Sequence, residues 1–360
     1  MTLNDAILAV TGGPTVNDGL RAYYLANGAV AGALPDLERQ FLLANGGVSS
    51  SNQDMWMQIL GATGYTGTLN DMLYRFWIDG GLATPLNPLE LFANGEVGVY
   101  YDESDLSTLY QDSDGVTPVT VAGQPVGLML DQSQGLVLGP EKLVSTTPTV
   151  ATWNSTVDAV VTEGAATWTA AASGSAVDPS AVGGNIGVGT YRCELTIDSI
   201  SAGALRLRDL SGTFTSREMT TVGTHSFYFY KPTGTSNLRL RCVGTTTAVV
   251  TNLTVKTLAG YPASQSDNAK LPILEESGGL YSLKFDGIDD ELLTTFRGAL
   301  GTDCTIGKAV NPASTVVGAQ TIGTTYTMNA DNYATVITND ALTIRETKQL
   351  TDWLDAKAGN

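Results

Sequence analysis

The segments LRLRD, residues 205–209, and LRLRC, residues 238–242, decide the fold class. Leu and Arg alternate with a period of two, the signature of a strand with one face buried and one in water. Leu205 and Leu207 fall on one side with Arg206 and Arg208 opposite, and Leu238 and Leu240 oppose Arg239 and Arg241 in the same way. HSFYFYK, residues 225–231, sets Phe227 and Phe229 against Tyr228 and Tyr230. TYRCELTI (190–197) and AVVTNLTVKTL (248–258) belong to the same series of strand-like runs. Period-two runs at such regular spacing read as an antiparallel sandwich or jelly roll.

The composition agrees. A chain of 360 residues suits two or three domains. Apolar residues make up 42% and charged ones only 15%, with 40 glycines, which fits β-sandwiches joined by many turns. The net charge of −17 leaves no overall basic footprint for phosphates, so nucleic acid is not an expected partner. The charge is uneven. Residues 1–91 carry 3 Lys/Arg against 8 Asp/Glu, and residues 92–150 carry 1 against 8. Residues 151–260 carry 8 against 7, and residues 261–360 carry 7 against 13. A neutral block between acidic flanks points to a separate module in the middle.

Three segments near the start share one pattern: VNDGLRAYYLANGA from Val16, LPDLERQFLLANGG from Leu34 and LNDMLYRFWIDGGL from Leu69. Asp18, Asp36 and Asp71 sit where an N-cap or first-turn acid belongs, and Gly28, Gly46 and Gly80 where a helix-ending glycine belongs. With SNQDMWMQILGATG and an initial helix, residues 1–91 read as a small bundle of four or five short helices. Tyr23, Tyr24, Phe41, Trp56, Phe76 and Trp77 are its anchors, as core or as an interface with a larger assembly. The prolines and glycine of LATPLNPLELFANGE (Pro85, Pro88, Gly95) mark the first boundary. The C-terminal NDALTIRETKQLTDWLDAKAG reads as a helix with Leu342, Leu350, Trp353 and Leu354 on its apolar side. Asn339 or Asp340 and Thr343 supply its capping signals, and Gly359 closes it. The start MTLNDAILAV has neither a basic region nor a long apolar core, so no signal peptide and no membrane insertion are expected.

The stretch GVYYDESDLSTLYQDSDGVTPVTVAGQPVGLMLDQSQG, residues 98–135, resembles a segment common in tailed-bacteriophage virion proteins. So does LYSLKFDGIDDELLTT, residues 280–295, followed by ALTIRETKQLTDWLDAKAG, residues 341–359. Together they look like the two ends of a concanavalin A-like (laminin-G-like) sandwich, although the last part is short for one. The repeated helices resemble phage structural proteins, and the middle block is similar to the jelly-roll carbohydrate-binding modules of fibres and spikes. The resemblance implies a mainly β chain with a small α-helical N-terminal domain and two antiparallel sandwiches or jelly rolls, one inserted in the other. Residues 1–91 would be the helical domain, for virion attachment or oligomerisation. Residues 92–148 plus 262–360 would form a discontinuous sandwich, and residues 149–261 an inserted jelly roll. It also implies location in the virion, other virion proteins as partners and a homotrimer.

The chemistry-bearing residues favour binding over catalysis. Residues 100–115, YYDESDLSTLYQDSDG, hold five acids: Asp102, Glu103, Asp105, Asp112 and Asp114. An EF-hand fails here, because Tyr110 and the missing terminal Glu break the pattern. A calcium site of another geometry would draw on Asp102, Asp105, Asp286, Asp289 and Asp290; the plainer reading is carboxylates accepting backbone hydrogen bonds in turns. His225 is the single histidine, at a strand start, and no G-x-S-x-G elbow accompanies it. In GTDCTIGKA the glycine spacing is one too long for a phosphate loop, and Ala309 replaces Ser or Thr. Cys193, Cys242 and Cys304 are too few for a zinc site and make no even disulfide framework; Cys193 and Cys242, each in a strand-like run of the middle block, either face one another as a disulfide or, as the favoured reading, are two buried thiols. No enzyme activity and no cofactor are expected. Arg206, Arg208, Arg239, Arg241, Tyr228, Tyr230 and Trp168 form the candidate ligand face, because aromatic rings stack on sugars and arginine forks bind acidic groups. The same residues fit a plain solvent face or a subunit interface. The leading expectation is a non-enzymatic virion component, tail-associated or fibre-like, with a host glycan as ligand. A head decoration or head-spike protein is the alternative, and a polysaccharide depolymerase, which needs only two carboxylates, is the second.

Overall fold

The computed structural model describes every residue except 1, 12–13, 28, 30–31, 46–47, 49–50, 63–67, 79–85, 180–184 and 343. Gly28, Gly46, Gly80, Pro85 and Thr343 therefore lie outside the described residues. The chain is mainly β with a helical N-terminal region. It divides into two compact units: residues 1–87 with 342–353, and residues 88–341 with 354–360. The C-terminal helix is expected wholly within the discontinuous sandwich; instead residues 342–353 group with the helical unit and residues 354–360 with the β unit.

The helical unit contains α1 (Leu3–Thr11), α2 (Val16–Ala26), α3 (Leu34–Ala44), α4 (Asn52–Ala62) and α5 (Leu69–Ile78). Each packs on the next and α1 packs on α5, so the five close into a ring. The repeated Asp is a first-turn acid rather than an N-cap, and at Asp18 and Asp71 it belongs to a capping box, whereas the helix of Asp36 has Ala33 at its N-cap and no side-chain cap. Thr15 Oγ1 accepts from the Asp18 N–H at 3.2 Å, and Thr68 Oγ1 from the Asp71 N–H at 3.3 Å. The helix ends are satisfied by asparagine. Asn27 Nδ2 donates to Tyr23 O and Asn45 Nδ2 to Phe41 O, each at 2.8 Å. Tyr23, Tyr24, Phe41, Trp56, Phe76 and Trp77 are each at most 6% exposed, so they fill the core and are not an interface. Their rings run from Tyr23 through Phe41, Trp56, Phe76 and Trp77 back to Tyr23, with centroids 4.8–5.7 Å apart.

In the second unit, Gly98–Asp102, Ala334–Thr338, Gly301–Ala309 and Thr315–Ile322 form one antiparallel sheet in that order. Thr325–Met328, Leu292–Thr295, Ala263–Ser264, Leu128–Met129 and Leu109–Tyr110 form another. Val99, Tyr101, Cys304 and Ile337 from the first share a core with Leu109, Met129, Ala263, Leu292 and Met328 from the second. Residues before and after the middle block thus build one sandwich.

The middle block is a single sheet folded over itself. Its spine is two 21-residue strands, Gly189–Asp209 and Leu238–Leu258, paired antiparallel from end to end. Their register shifts between Val243 and Thr247, opposite the bend at residues 201–203. Gly203 sits there at φ +72°, with Thr245 O only 2.7 Å from where a Cβ would stand, so the bend needs glycine. Beyond the bend the strands form a second layer. Tyr191, Cys193, Leu195, Phe227 and Val255 from one layer meet Leu205, Leu207, Leu238, Leu240 and Cys242 from the other in one core. The block begins before the change of composition at residue 149. Leu138–Glu141, within the stretch expected in the first sandwich, pairs with Leu238–Leu258, and Leu143 joins the inner core.

One buried side chain ties the two halves of the sandwich at the point of insertion. Asp131, 1% exposed, accepts hydrogen bonds from the N–H groups of Tyr100 (2.9 Å), Ser133 (2.8 Å) and Tyr261 (2.8 Å). These donors come from the first sandwich strand, the chain's exit toward the insert and its return. Burial pushes the Asp131 carboxyl up to about 6, against the pull of those hydrogen bonds. Between about pH 4 and 6 the folded chain then holds a proton that the unfolded chain has released. The contribution of Asp131 to stability is therefore greatest below about pH 4 and falls by roughly 3 kcal/mol as the pH rises to about 6. Urea unfolding of the wild type and of Asp131→Asn across this range should show the wild type losing stability relative to the variant as pH rises, with a flat difference above pH 7.

Candidate functional site

The candidate face comes only partly together. Arg208 lies directly opposite Arg239 and Arg206 opposite Arg241, so the four arginines form two cross-strand pairs on the outer face of the second layer. Leu205, Leu207, Leu238 and Leu240 point the other way and are fully buried. Asp178 on the neighbouring strand takes Arg239 in a two-point grip, with Nε–Oδ1 at 2.6 Å and a terminal nitrogen to Oδ2 at 2.7 Å. Glu218 takes Arg206 at 2.6 Å. Arg208 Nε donates to the Asp209 backbone oxygen at 3.2 Å. Neither Arg208 nor Arg241 forms an ion pair with a described residue. The face therefore presents four cations against two carboxylates.

The aromatic residues assigned to this face lie elsewhere. Trp168 is completely buried among the core residues and its Nε1 donates to Ser175 O at 3.3 Å. It is a packing residue, large enough to be drawn inward by burial alone. Tyr228 and Tyr230 sit on Gly223–Lys231, which pairs with residues 189–197 in the first layer, away from the arginines. Tyr228 packs on Tyr110 with ring centroids 5.6 Å apart, and its N–H donates to Asp114 O at 2.6 Å. It joins the inserted module to the sandwich. The alternation of residues 225–231 is real, but it cannot show which layer a strand joins.

Beneath the arginine layer lies a buried ion pair that the sequence does not announce. Lys231 Nζ and Asp209 Oδ2 are 2.7 Å apart with both side chains wholly inaccessible. Lys231 also donates to Ser211 and Thr213, and Asp209 accepts from Thr213 at 2.6 Å, Ser236 at 3.0 Å and the Phe214 N–H at 2.9 Å. Ser211 donates to the same carboxylate. Burial alone would raise the Asp209 carboxyl, but these donors, Lys231 first, outweigh it and hold it well below the usual range.

Of the acids of residues 100–115, Asp102, Asp105 and Asp112 shape turns, while burial raises the Asp114 carboxyl. Asp105 accepts from the Ser107 N–H at 3.2 Å, and Asp112 from Val116 (3.0 Å) and Thr117 (2.8 Å). Asp102 holds Ser104 and receives Lys357 Nζ at 2.6 Å. Glu103 is the exception: it is completely buried with neither carboxylate oxygen hydrogen-bonded, and burial pushes it well above the usual range. Of the calcium candidates, Asp286, Asp289 and Asp290 bring their carboxylates within 4.8 Å of one another, whereas Asp102 and Asp105 join no such group among the described residues. Asp286 is already spent on the N–H groups of Ile288, Asp289 and Asp290. His225 is at its strand start, its Nε2 2.8 Å from Thr221 O. Cys193, Cys242 and Cys304 are buried free thiols, and GTDCTIGKA is a strand. Among the described residues no helix is long and apolar enough to cross a membrane.

A cleft of about 530 Å³ opens where the inserted module meets the sandwich, lined among others by Glu96, Gln134, Lys142, Tyr261 and Arg297. No sequence pattern signals it, because its walls come from four separate segments, residues 95–98, 134–142, 257–261 and 297.

No family model and no curated protein matches this chain. Among solved structures, AerE from Microcystis aeruginosa aligns with 54% of this chain and 93% of its own at 7% identity. The TM-score of 0.11 is too low to indicate a shared fold.

Replacing Lys231 by Met leaves the buried Asp209 without its cation. Breaking such a pair costs about 3–5 kcal/mol. Chemical unfolding should show a loss of this size for Lys231→Met, and a smaller loss for Lys231→Met combined with Asp209→Leu.

Proposed function

We propose that this chain is a non-enzymatic structural component of a bacteriophage particle, tail-associated or fibre-like. The helical unit attaches it to the particle or to sister subunits of a homotrimer. The β unit meets an acidic glycan of the host. The resemblance of residues 98–135, 280–295 and 341–359 to virion proteins supports the setting.

The observation that carries the binding role is the pairing of Arg208 with Arg239 and of Arg206 with Arg241. Like charges directly opposite one another destabilise a sheet. Asp178 and Glu218 offset half of that charge, and Arg208 and Arg241 remain open to an anion. A flat face of guanidinium forks suits carboxylates or sulfates spaced along an extended polymer.

Binding of the full-length chain to host cells tests this reading. Adhesion should weaken as salt is raised from 50 to 500 mM, a range chosen to shrink the Debye length severalfold. Arg208→Met with Arg241→Met should weaken it about tenfold or more, the equivalent of about 1.4 kcal/mol. Binding that ignores both salt and the double variant contradicts the glycan role. Binding to particles and not to cells favours decoration or a head spike.

A further inference from the structure

The junction cleft holds two cations that no described residue neutralises. Neither Lys142 nor Arg297 forms an ion pair or a side-chain hydrogen bond with a described residue, in a chain whose net charge is −17. Surface cations in so acidic a molecule have many carboxylates within reach. Here the carboxylate in the same cleft, Glu96, is held by Asn94, whose backbone N–H (2.9 Å) and side-chain amide (3.2 Å) both donate to it. Arg297 has a seat of its own. Its guanidinium lies 2.9 Å from where a Cβ of Gly189 would stand, so any larger residue at 189 would displace it. Gly189 begins the first long strand of the inserted module, and Arg297 follows a strand of the sandwich; the two modules together position the charge.

The other walls narrow the ligand class. Tyr261 supplies an aromatic ring, fixed edge-on against Phe296 at 5.2 Å and anchored through its backbone N–H to Asp131. Gln134 and Thr257 supply neutral hydrogen-bonding groups, and Glu96 can accept from a hydroxyl. Glu96 also opposes a dense polyanion such as a multiply charged phosphate, because its own charge stays in the cleft. One carboxylate, several hydroxyls and an apolar ring face satisfy all of these walls at once. The volume lies within the usual range for small-ligand sites.

We propose that this cleft binds a carboxylate-bearing sugar unit, its acid group held by Arg297 and Lys142 and its ring face set against Tyr261. The assignment deepens the glycan reading and rests on it only for the choice of a sugar as carrier of the carboxylate. A flat arginine face has no walls and can grip only an extended chain, whereas a walled cleft selects a single unit.

The test is calorimetric titration of the full-length chain with trigalacturonate, with maltotriose as the neutral probe, alongside saturation-transfer NMR. Trigalacturonate should bind and maltotriose should not. Arg297→Met and Lys142→Met should each weaken binding tenfold or more, and Arg297→Lys should restore part of it by returning the charge without the fork. Equal binding of maltotriose, normal binding by Arg297→Met, or no binding of trigalacturonate at millimolar concentration overturns the assignment. If Arg208→Met with Arg241→Met abolishes binding while Arg297→Met binds normally, the arginine face is the sugar site and the cleft falls alone. Circular dichroism confirms that each surface variant is folded.

Discussion

The β unit depends on one buried carboxylate. An insertion of more than a hundred residues would separate the halves of a sandwich unless something closed the gap at its base. Asp131 does so by accepting N–H groups from Tyr100, Ser133 and Tyr261 with no solvent to compete. A buried acceptor left unmade is costly, so each bond here restrains more than its net contribution to stability implies. Tyr101 adds to the clamp from the same strand, its hydroxyl 2.5 Å from Tyr261 O and 2.8 Å from Thr294 Oγ1. Tyr261 then stands at a fixed place in the junction cleft, so the device that closes the split domain also builds a wall of the proposed sugar site.

The inserted module solves a different problem. Its two long strands must turn a single sheet into two layers, and they do so around Gly203, where their register shifts between Val243 and Thr247 before the pairing resumes. The fold brings four arginines into two directly opposed pairs, a poor arrangement for the sheet by itself. The buried Lys231–Asp209 pair fastens the end of the strand that carries Arg206 and Arg208.

The sequence revealed periodicity well and partnership poorly. Alternation at residues 205–209, 225–231 and 238–242 placed every leucine and phenylalanine on the correct side, because burial selects for side-chain hydrophobicity one residue at a time. The start of the middle block was misplaced, since Leu138–Glu141 has the composition of the segment before it and joins the inserted sheet only through backbone pairing. Trp168, Tyr228 and Tyr230 were grouped with the arginines by chemistry, yet layer membership is set by long-range pairing that no local pattern encodes. Asp131, Lys142 and Arg297 lie far apart in the chain and belong to no motif. Their significance comes from burial and juxtaposition, which appear only in three dimensions.

The proposed setting of this chain is a phage particle, with the β unit facing outward. Electron microscopy of purified particles, labelled with gold-tagged antibody raised against the chain, tests that setting. Gold along the tail or its fibres is the expected result. Intact particles that remain bare, or that carry gold on the head alone, would contradict a tail-associated role.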